Sequence, residues 1–316
     1  MTTYALNLKR VSQRFGRTMA LDEVCLSHVE GRILGLIGLA GAGRTTLMHL
    51  LAGLDKPTSG AVEVLGDSPF APSLRFRIHL ALDPGLFDPS ASVAATLRQI
   101  ARLKGDSRRT SLSTAADMLN ELGLTEVAAR PVHSLTASLQ FLLSAGTALI
   151  GEPGLILLDG TFDVIERTDA NTLHTALRAR AAQRQTIVVA GENLSALGDL
   201  CDDVALLCGG KLFGKATPKM LCGSVRGLLN KYVAPSSTVS LPEGNGITAR
   251  ETDSGRELLV DHKAADGVVE WLQENDAELV DPTFEEACRW ILSHPDAMVS
   301  RSKLWGHEGG ARPVTD

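Results

Sequence analysis

Gly38-Leu39-Ala40-Gly41-Ala42-Gly43-Arg44-Thr45 is the stretch on which the fold turns. It fits G-x-x-x-x-G-K-[ST] at every fixed position but one, with Arg44 where lysine belongs. A short apolar run, Ile33–Ile37, precedes it, and a helical segment, Thr45–Leu51, follows and is stopped at Gly53. Strand, glycine-rich turn and helix in that order are the context a phosphate-binding loop requires. The glycines let the backbone wrap an anion so that N–H groups and the helix dipole face its charge. On this reading Gly38, Leu39, Ala40, Gly41, Ala42, Gly43, Arg44, Thr45 and Thr46 form the nucleotide-binding loop, and the Thr45 hydroxyl ligates Mg2+. A glycine-rich turn without a ligand is the alternative, which the missing lysine keeps open. A dinucleotide fingerprint is not supported, because Thr46 stands where its third glycine belongs.

Outward from the loop, the N-terminal side is rich in strands. Tyr4–Val11 and Leu21–Val29 alternate, and after the turn at Lys56-Pro57-Thr58-Ser59-Gly60 a strand returns over Ala61–Leu65. Residues 88–151 read as mainly helical. Leu155–Leu158, Thr186–Ala190 and Val204–Leu207 are apolar runs of strand length. Such strands between helices imply a parallel sheet covered on both faces. After Thr217-Pro218 the composition changes. A linker helix over Lys219–Tyr232, short strands, an amphipathic helix over Ala264–Glu274 and a second over Asp281–Leu292 are expected there. On the last, Phe284, Cys288 and Ile291 share one face. The expected division is a domain over 1–220, a linker over 221–237, a small α+β domain over 238–297 and a disordered tail over 298–316.

The bulk numbers narrow the function. With 44% hydrophobic and 22% charged residues the chain is of ordinary globular type. A net charge of −6 leaves no basic footprint, so no nucleic acid is expected as a partner. Five scattered cysteines without C-x-x-C spacing read as reduced thiols, most of them in the core. Ser134–Gly151 holds no charged residue, but Thr136, Ser138, Gln140, Ser144 and Thr147 interrupt it. A buried helix is expected there rather than a membrane span. No signal peptide is visible, so membrane association has to come through a partner.

The residues around the loop carry a family resemblance. Leu51-Ala52-Gly53-Leu54, Pro57-Thr58-Ser59-Gly60, then Val62, Val64 and Gly66 resemble the segment after the phosphate loop of ATP-binding-cassette (ABC) ATPases. Leu122-Gly123-Leu124 through Arg130-Pro131-Val132 is similar to their pre-signature stretch, and Leu155-Ile156-Leu157-Leu158-Asp159 to their Walker B strand. Cys201-Asp202-Asp203-Val204 and Gly209-Gly210-Lys211-Leu212 resemble their final strand and hairpin. The likeness covers residues 3–220 in the family's order. Val280-Asp281-Pro282-Thr283-Phe284-Glu285-Glu286-Ala287 resembles the C-terminal ending of the exporter branch, with an ordinary amphipathic helix after proline as the alternative.

The resemblance implies a P-loop NTPase cassette: a parallel core sheet, an antiparallel β subdomain and an α-helical subdomain, followed by the small C-terminal domain. It implies ATP and Mg2+ as ligands, with Thr45 and Asp159 at the metal and Phe15 stacked on adenine; a strand-end core aromatic is the other reading of Phe15. Leu135, Thr136, Ala137, Ser138 and Leu139 stand at the signature, which faces a partner's nucleotide.

Six positions or motifs depart from the family. Arg44 replaces lysine. Gly160 stands where a glutamate polarises water, Glu192 at the switch histidine and Asp83 at the Mg2+-sensing glutamine. The signature has drifted, and Val164-Ile165-Glu166 stands at the D-loop. Gly160 cannot hold a proton or orient water, a loss typically worth roughly 10²–10⁴ in rate. Arginine's planar fork is not a conservative replacement for a compact ammonium. Glu192 is expected to set negative charge against the γ-phosphate, and none of these losses is expected to compensate another.

The implied function is therefore a degenerate nucleotide-binding subunit. It would bind ATP with little or no turnover, on the cytoplasmic face of a membrane, held there by a transmembrane permease and paired with a competent second ABC ATPase. Two rivals remain: an active ATPase with Glu192 or Asp163 as base, and a scaffold that binds no nucleotide.

Overall fold

The computed structural model describes residues 3–81, 83–225, 228–234, 246–252, 255–261, 264, 268, 272 and 277–294. They divide into two compact units, one up to Lys215 and one from Ala216.

The first unit is built on a six-stranded sheet ordered β5-β6-β7-β3-β8-β9, with β3 Ile33–Gly38, β5 Ile78–Leu80, β6 Leu155–Asp159, β7 Thr186–Gly191, β8 Asp203–Cys208 and β9 Lys211–Ala216. The pairings from β5 through β8 are parallel. Strands β3 and β7 are buried along their whole length, which explains their unbroken apolar sequences. A second sheet, ordered β2-β1-β4, is antiparallel and comprises β1 Tyr4–Phe15, β2 Thr18–Val29 and β4 Ser59–Val64. Helix α1, Arg44–Ala52, buries Leu47, Met48, Leu50 and Leu51 in one core shared by both sheets. Gly53 ends α1 in a left-handed cap, with Leu54 N–H donating to His49 O at 2.9 Å.

Between β5 and β6 the chain is helical, as expected: α2 Val93–Leu103, α3 Thr110–Glu121 and α4 Ala137–Leu149. Nine residues of α4 are buried, so its lack of charge reflects burial in protein. No described helix is long and apolar enough to cross a membrane. Helix α5, Thr161–Val164, and α6, Arg167–Ala182, follow β6, and α7, Leu194–Leu200, follows β7. Of the five cysteines Cys201 and Cys288 are buried and the others half-buried, fewer in the core than expected. Burial pushes both buried thiols up.

The second unit corrects the expected linker. Helix α8, Pro218–Ser224, is short, and Leu229–Ala234 is strand β10, where a helix to Tyr232 was expected. It lies inside a four-stranded antiparallel sheet, β11-β12-β10-β13, with β11 Ile247–Thr252, β12 Gly255–Asp261 and β13 Glu278–Val280. The compact unit begins at Ala216, and β10 lies within the stretch expected as a linker over 221–237. Lys231 hid the strand. Its side chain is 7% exposed and made tolerable by Glu257 at 3.1 Å and Glu286 at 3.2 Å. Helix α9, Phe284–Ser293, starts at a capping box of Thr283 and Glu286 and buries Cys288 and Ile291, while Phe284 is half-buried. The expected tail over 298–316 and most of the expected helix over 264–274 lie outside the described residues.

The helical part of the first unit carries a half-buried lysine. Lys104, the C-cap of α2, donates to Thr147 O at 2.6 Å and Ile150 O at 3.2 Å, closing the end of α4. Burial pushes its pKa down to about 7 from the ordinary 10.5. Above pH 7 the unfolded chain then holds a proton at Lys104 that the folded chain has lost, so stability rises with pH up to about 10.5. Urea unfolding of the unaltered chain and of Lys104→Met at pH 6.5 and at pH 9 checks this. The difference in midpoint should move in favour of the unaltered chain at the higher pH; a constant difference would contradict it.

Candidate functional site

The parallel strands deliver the site to one edge of the sheet. Leu36 pairs with Ala190 and Ala190 with Asp159, so β3, β7 and β6 end side by side. This is where ligands bind in open α/β sheets. From β3 the chain enters the glycine loop; Leu39, Ala40 and Gly41 are exposed, while Ala42 is buried. Gly43 is the N-cap of α1 at φ +100°, a conformation side chains disfavour, and a β-carbon there would lie 2.8 Å from Leu21 Cδ2. The loop thus presses on the start of β2. Thr18 at that end pairs with Phe15 across the hairpin. Phe15 is 51% exposed, which removes the core-aromatic reading.

A cleft of about 530 Å3 opens at this edge. Arg44 and Thr45 line it from α1, Asp159 and Gly160 from the end of β6, Asp163 from α5 and Gly191 from β7. Asp83 joins from the segment after β5, with its Oδ1 accepting from Gly85 N–H at 2.8 Å. Of the sequence-predicted positions, Arg44, Thr45, Asp83, Asp159, Gly160 and Val164 line this cleft, while Gly38–Gly43, Thr46 and Glu192 are outside its lining. Phe15 and the signature residues are outside the cleft lining. Among the latter Thr136 and Ala137 are exposed, Leu139 is half-buried, and Leu135 and Ser138 are buried. Thr136 caps α4, accepting from Leu139 N–H at 3.3 Å. Ser138 is committed internally: it donates to Asp169 and accepts from Glu166 N–H at 2.9 Å, tying the start of α4 to the start of α6.

One expectation is overturned. Arg44 and Glu192, 148 residues apart, compensate each other. Arg44 Nη2 donates to Glu192 Oε1 at 2.6 Å, and Nη1 donates to Gly191 O at 2.7 Å. The carboxylate at the switch position does not stand as naked charge; it neutralises the arginine that replaced lysine. The register explains the meeting: Ile37 pairs with Gly191, so the residues following these two leave the sheet together. The sequence named both residues and gave no sign that they touch, except that their charges are opposite.

Asp163 is the contributor sequence reading placed only as an alternative base. Its Oδ1 accepts from the N–H groups of Glu192 and Asn193, both at 2.7 Å, and so fixes the turn after β7. Both candidate bases thus hold structural partners. The remaining parts fit a magnesium nucleotide in outline. The N-terminus of α1 has no side-chain cap competing for its N–H groups, and Thr45 and Asp159 offer hard oxygen donors in the same cleft.

Comparison with known proteins agrees with this geometry. Residues 21–163 match the ABC transporter family model. A methionine import ATP-binding protein of Latilactobacillus sakei is 26% identical, over 94% of this chain and 87% of its own length. A daunorubicin resistance ATP-binding protein of Streptomyces coeruleorubidus is 25% identical, over 90% of this chain and 95% of its own. The solved cbiO1 of Clostridium perfringens, part of an ABC transporter complex, superposes with a TM-score of 0.63 at 20% identity, over 70% of this chain and 91% of its own. The fold is that of an ABC ATPase cassette. Residues 21–163 are similar to the ABC transporter family, and the relatives of the chain are named for import and for drug resistance.

The tie made by Asp163 is testable. Asp163→Ala leaves two N–H groups in a partly exposed turn without their acceptor and should cost about 1 kcal/mol in urea unfolding. Asp163→Asn keeps an acceptor oxygen and should cost less. Equal loss in both would show that the tie does not depend on an acceptor at this position.

Proposed function

We propose that this chain is the catalytically impaired nucleotide-binding subunit of an ABC exporter. It binds ATP with Mg2+, does not turn it over by itself, and pairs with a competent cassette on a transmembrane permease at the cytoplasmic face of the membrane. The observation that carries this is Gly160. It follows Asp159 in the cleft, beside the glycine loop, and brings no side chain to the place where water would be activated. When bound, Mg2+ would neutralise phosphate charge; Thr45 and Asp159 would hold it and Phe15 would stack on the base. The exposed Thr136 hydroxyl at the start of α4 suits contact with the nucleotide on the partner cassette.

The export assignment draws on residues 280–287 and on the drug-resistance relative that spans almost the whole chain. A homodimer is disfavoured, because both composite sites would then pair an altered loop with an altered signature. The rival active ATPase needs Asp163 or Glu192 as base, and an oxygen of each is already committed.

Phosphate release by the purified chain with ATP and Mg2+ tests the proposal, and release should not exceed background. Gly160→Glu should restore little. No heavy atom lies within 4 Å of a β-carbon there, but the backbone sits at φ +66°, a left-handed conformation costing a side-chain-bearing residue about 1–2 kcal/mol. Turnover in the unaltered chain that Asp159→Ala abolishes would establish the active-ATPase reading instead. Absence of any calorimetric signal with either ATP or ADP up to millimolar concentration would establish the scaffold.

A further inference from the structure

We propose that Glu192 is a built-in competitor for the terminal phosphate of a nucleotide, so that the cleft favours a nucleoside diphosphate over the triphosphate. This rests on the nucleotide-binding reading and adds a specificity to it.

The pair is not a chance surface contact. The side chain of Arg44 is only 13% exposed, and its two terminal nitrogens are taken by consecutive residues, Gly191 and Glu192. The turn carrying Glu192 is held from two directions. Asp163 of α5 accepts from the N–H groups of Glu192 and Asn193. Asn193 donates from Nδ2 to Phe162 O at 3.0 Å and caps α7 by accepting from Ala196 N–H at 3.2 Å. Gly191 is pressed against Asp163 so closely that a β-carbon would lie 2.8 Å from its Oδ1. Asp163 is a positioning residue here: it fixes the backbone from which the carboxylate reaches the guanidinium.

The charge balance of the cleft gives the consequence. Arg44 is the only lysine or arginine among the lining residues, against the carboxylates of Asp83, Asp159 and Asp163. With Arg44 neutralised by Glu192, an incoming phosphate chain meets the N–H groups of α1 and the Thr45 hydroxyl, but no free lysine or arginine. A diphosphate can be held by the loop's backbone groups and Mg2+. A third phosphate adds negative charge and has either to displace Glu192 from the guanidinium or to sit beside its carboxylate. Arginine favours this trap, since its planar fork takes two acceptors at once where an ammonium would offer a single point charge.

The test is calorimetric titration of the full chain with ADP and with ATP, each with Mg2+, using the unaltered protein, Glu192→Gln, and Glu192→Gln combined with Arg44→Ala. Glu192 is 55% exposed at its side chain, and glutamine keeps its size, so the fold is expected to survive. The unaltered chain should bind ADP more tightly than ATP. Glu192→Gln should tighten ATP about tenfold, equivalent to about 1.4 kcal/mol, and move ADP less than about threefold. The second substitution should cancel that gain, because no guanidinium remains to be released. ATP binding detectable only in Glu192→Gln would support the same conclusion. If ATP and ADP bind the unaltered chain equally, or if Glu192→Gln shifts both alike, the competitor is overturned while nucleotide binding stands. If no variant binds either nucleotide, the nucleotide-binding reading falls and the competitor falls with it.

Discussion

The parallel pairing of β3 with β7 is the constraint on which the site depends. Five consecutive pairs, Ile33 with Ile187 through Ile37 with Gly191, lock two buried apolar strands in one register. A shift of that register would carry the glycine loop and the turn after β7 to different levels. Because the strands stop together, the loop that opens α1 and the turn that opens α7 emerge as neighbours. Asp159, one strand further along, ends at the same height. Apolar burial inside the sheet thus decides which polar residues meet at its edge.

That meeting changes how the departures from the ABC pattern are understood. Taken one at a time, arginine for lysine and glutamate for histidine look like two injuries. Their ion pair makes them a single unit in which each charge answers the other, and a partly buried guanidinium without a partner would be costly. Gly160 belongs to no such unit, and no heavy atom lies within 4 Å of where its β-carbon would stand. A self-neutralised arginine in the loop and a glycine after Asp159 are the two features on which the proposal of a nucleotide held rather than consumed rests.

Much of the fold was legible because the relevant signals are local. Fully apolar strands bounded by glycine, a helix capped by Gly53 and an uncharged stretch ending in α4 each carry their reading in a few residues. The departed positions were also legible, since they fall inside ordered motifs. What the sequence hid depended on contacts between distant residues. Lys231 reads as a surface residue until Glu257 and Glu286 are seen beside it, so a buried strand at β10 is hard to read from the sequence alone. Ser138 reads as a small signature residue until Asp169 claims its hydroxyl. Arg44 and Glu192 were both named, but opposite charge at a separation of 148 residues specifies no contact.

The pairing with a competent cassette on a membrane subunit is tested most directly by affinity capture of the tagged full chain from detergent-solubilised native membranes, with the co-purifying chains identified by mass spectrometry. The expected result is a polytopic membrane protein together with a second cassette. That second cassette should carry the loop lysine, the glutamate after Walker B and the switch histidine that are replaced here by Arg44, Gly160 and Glu192. A membrane subunit recovered with this chain as its sole cassette would contradict the pairing and would require Gly160 and Glu192 to belong to a working ATPase.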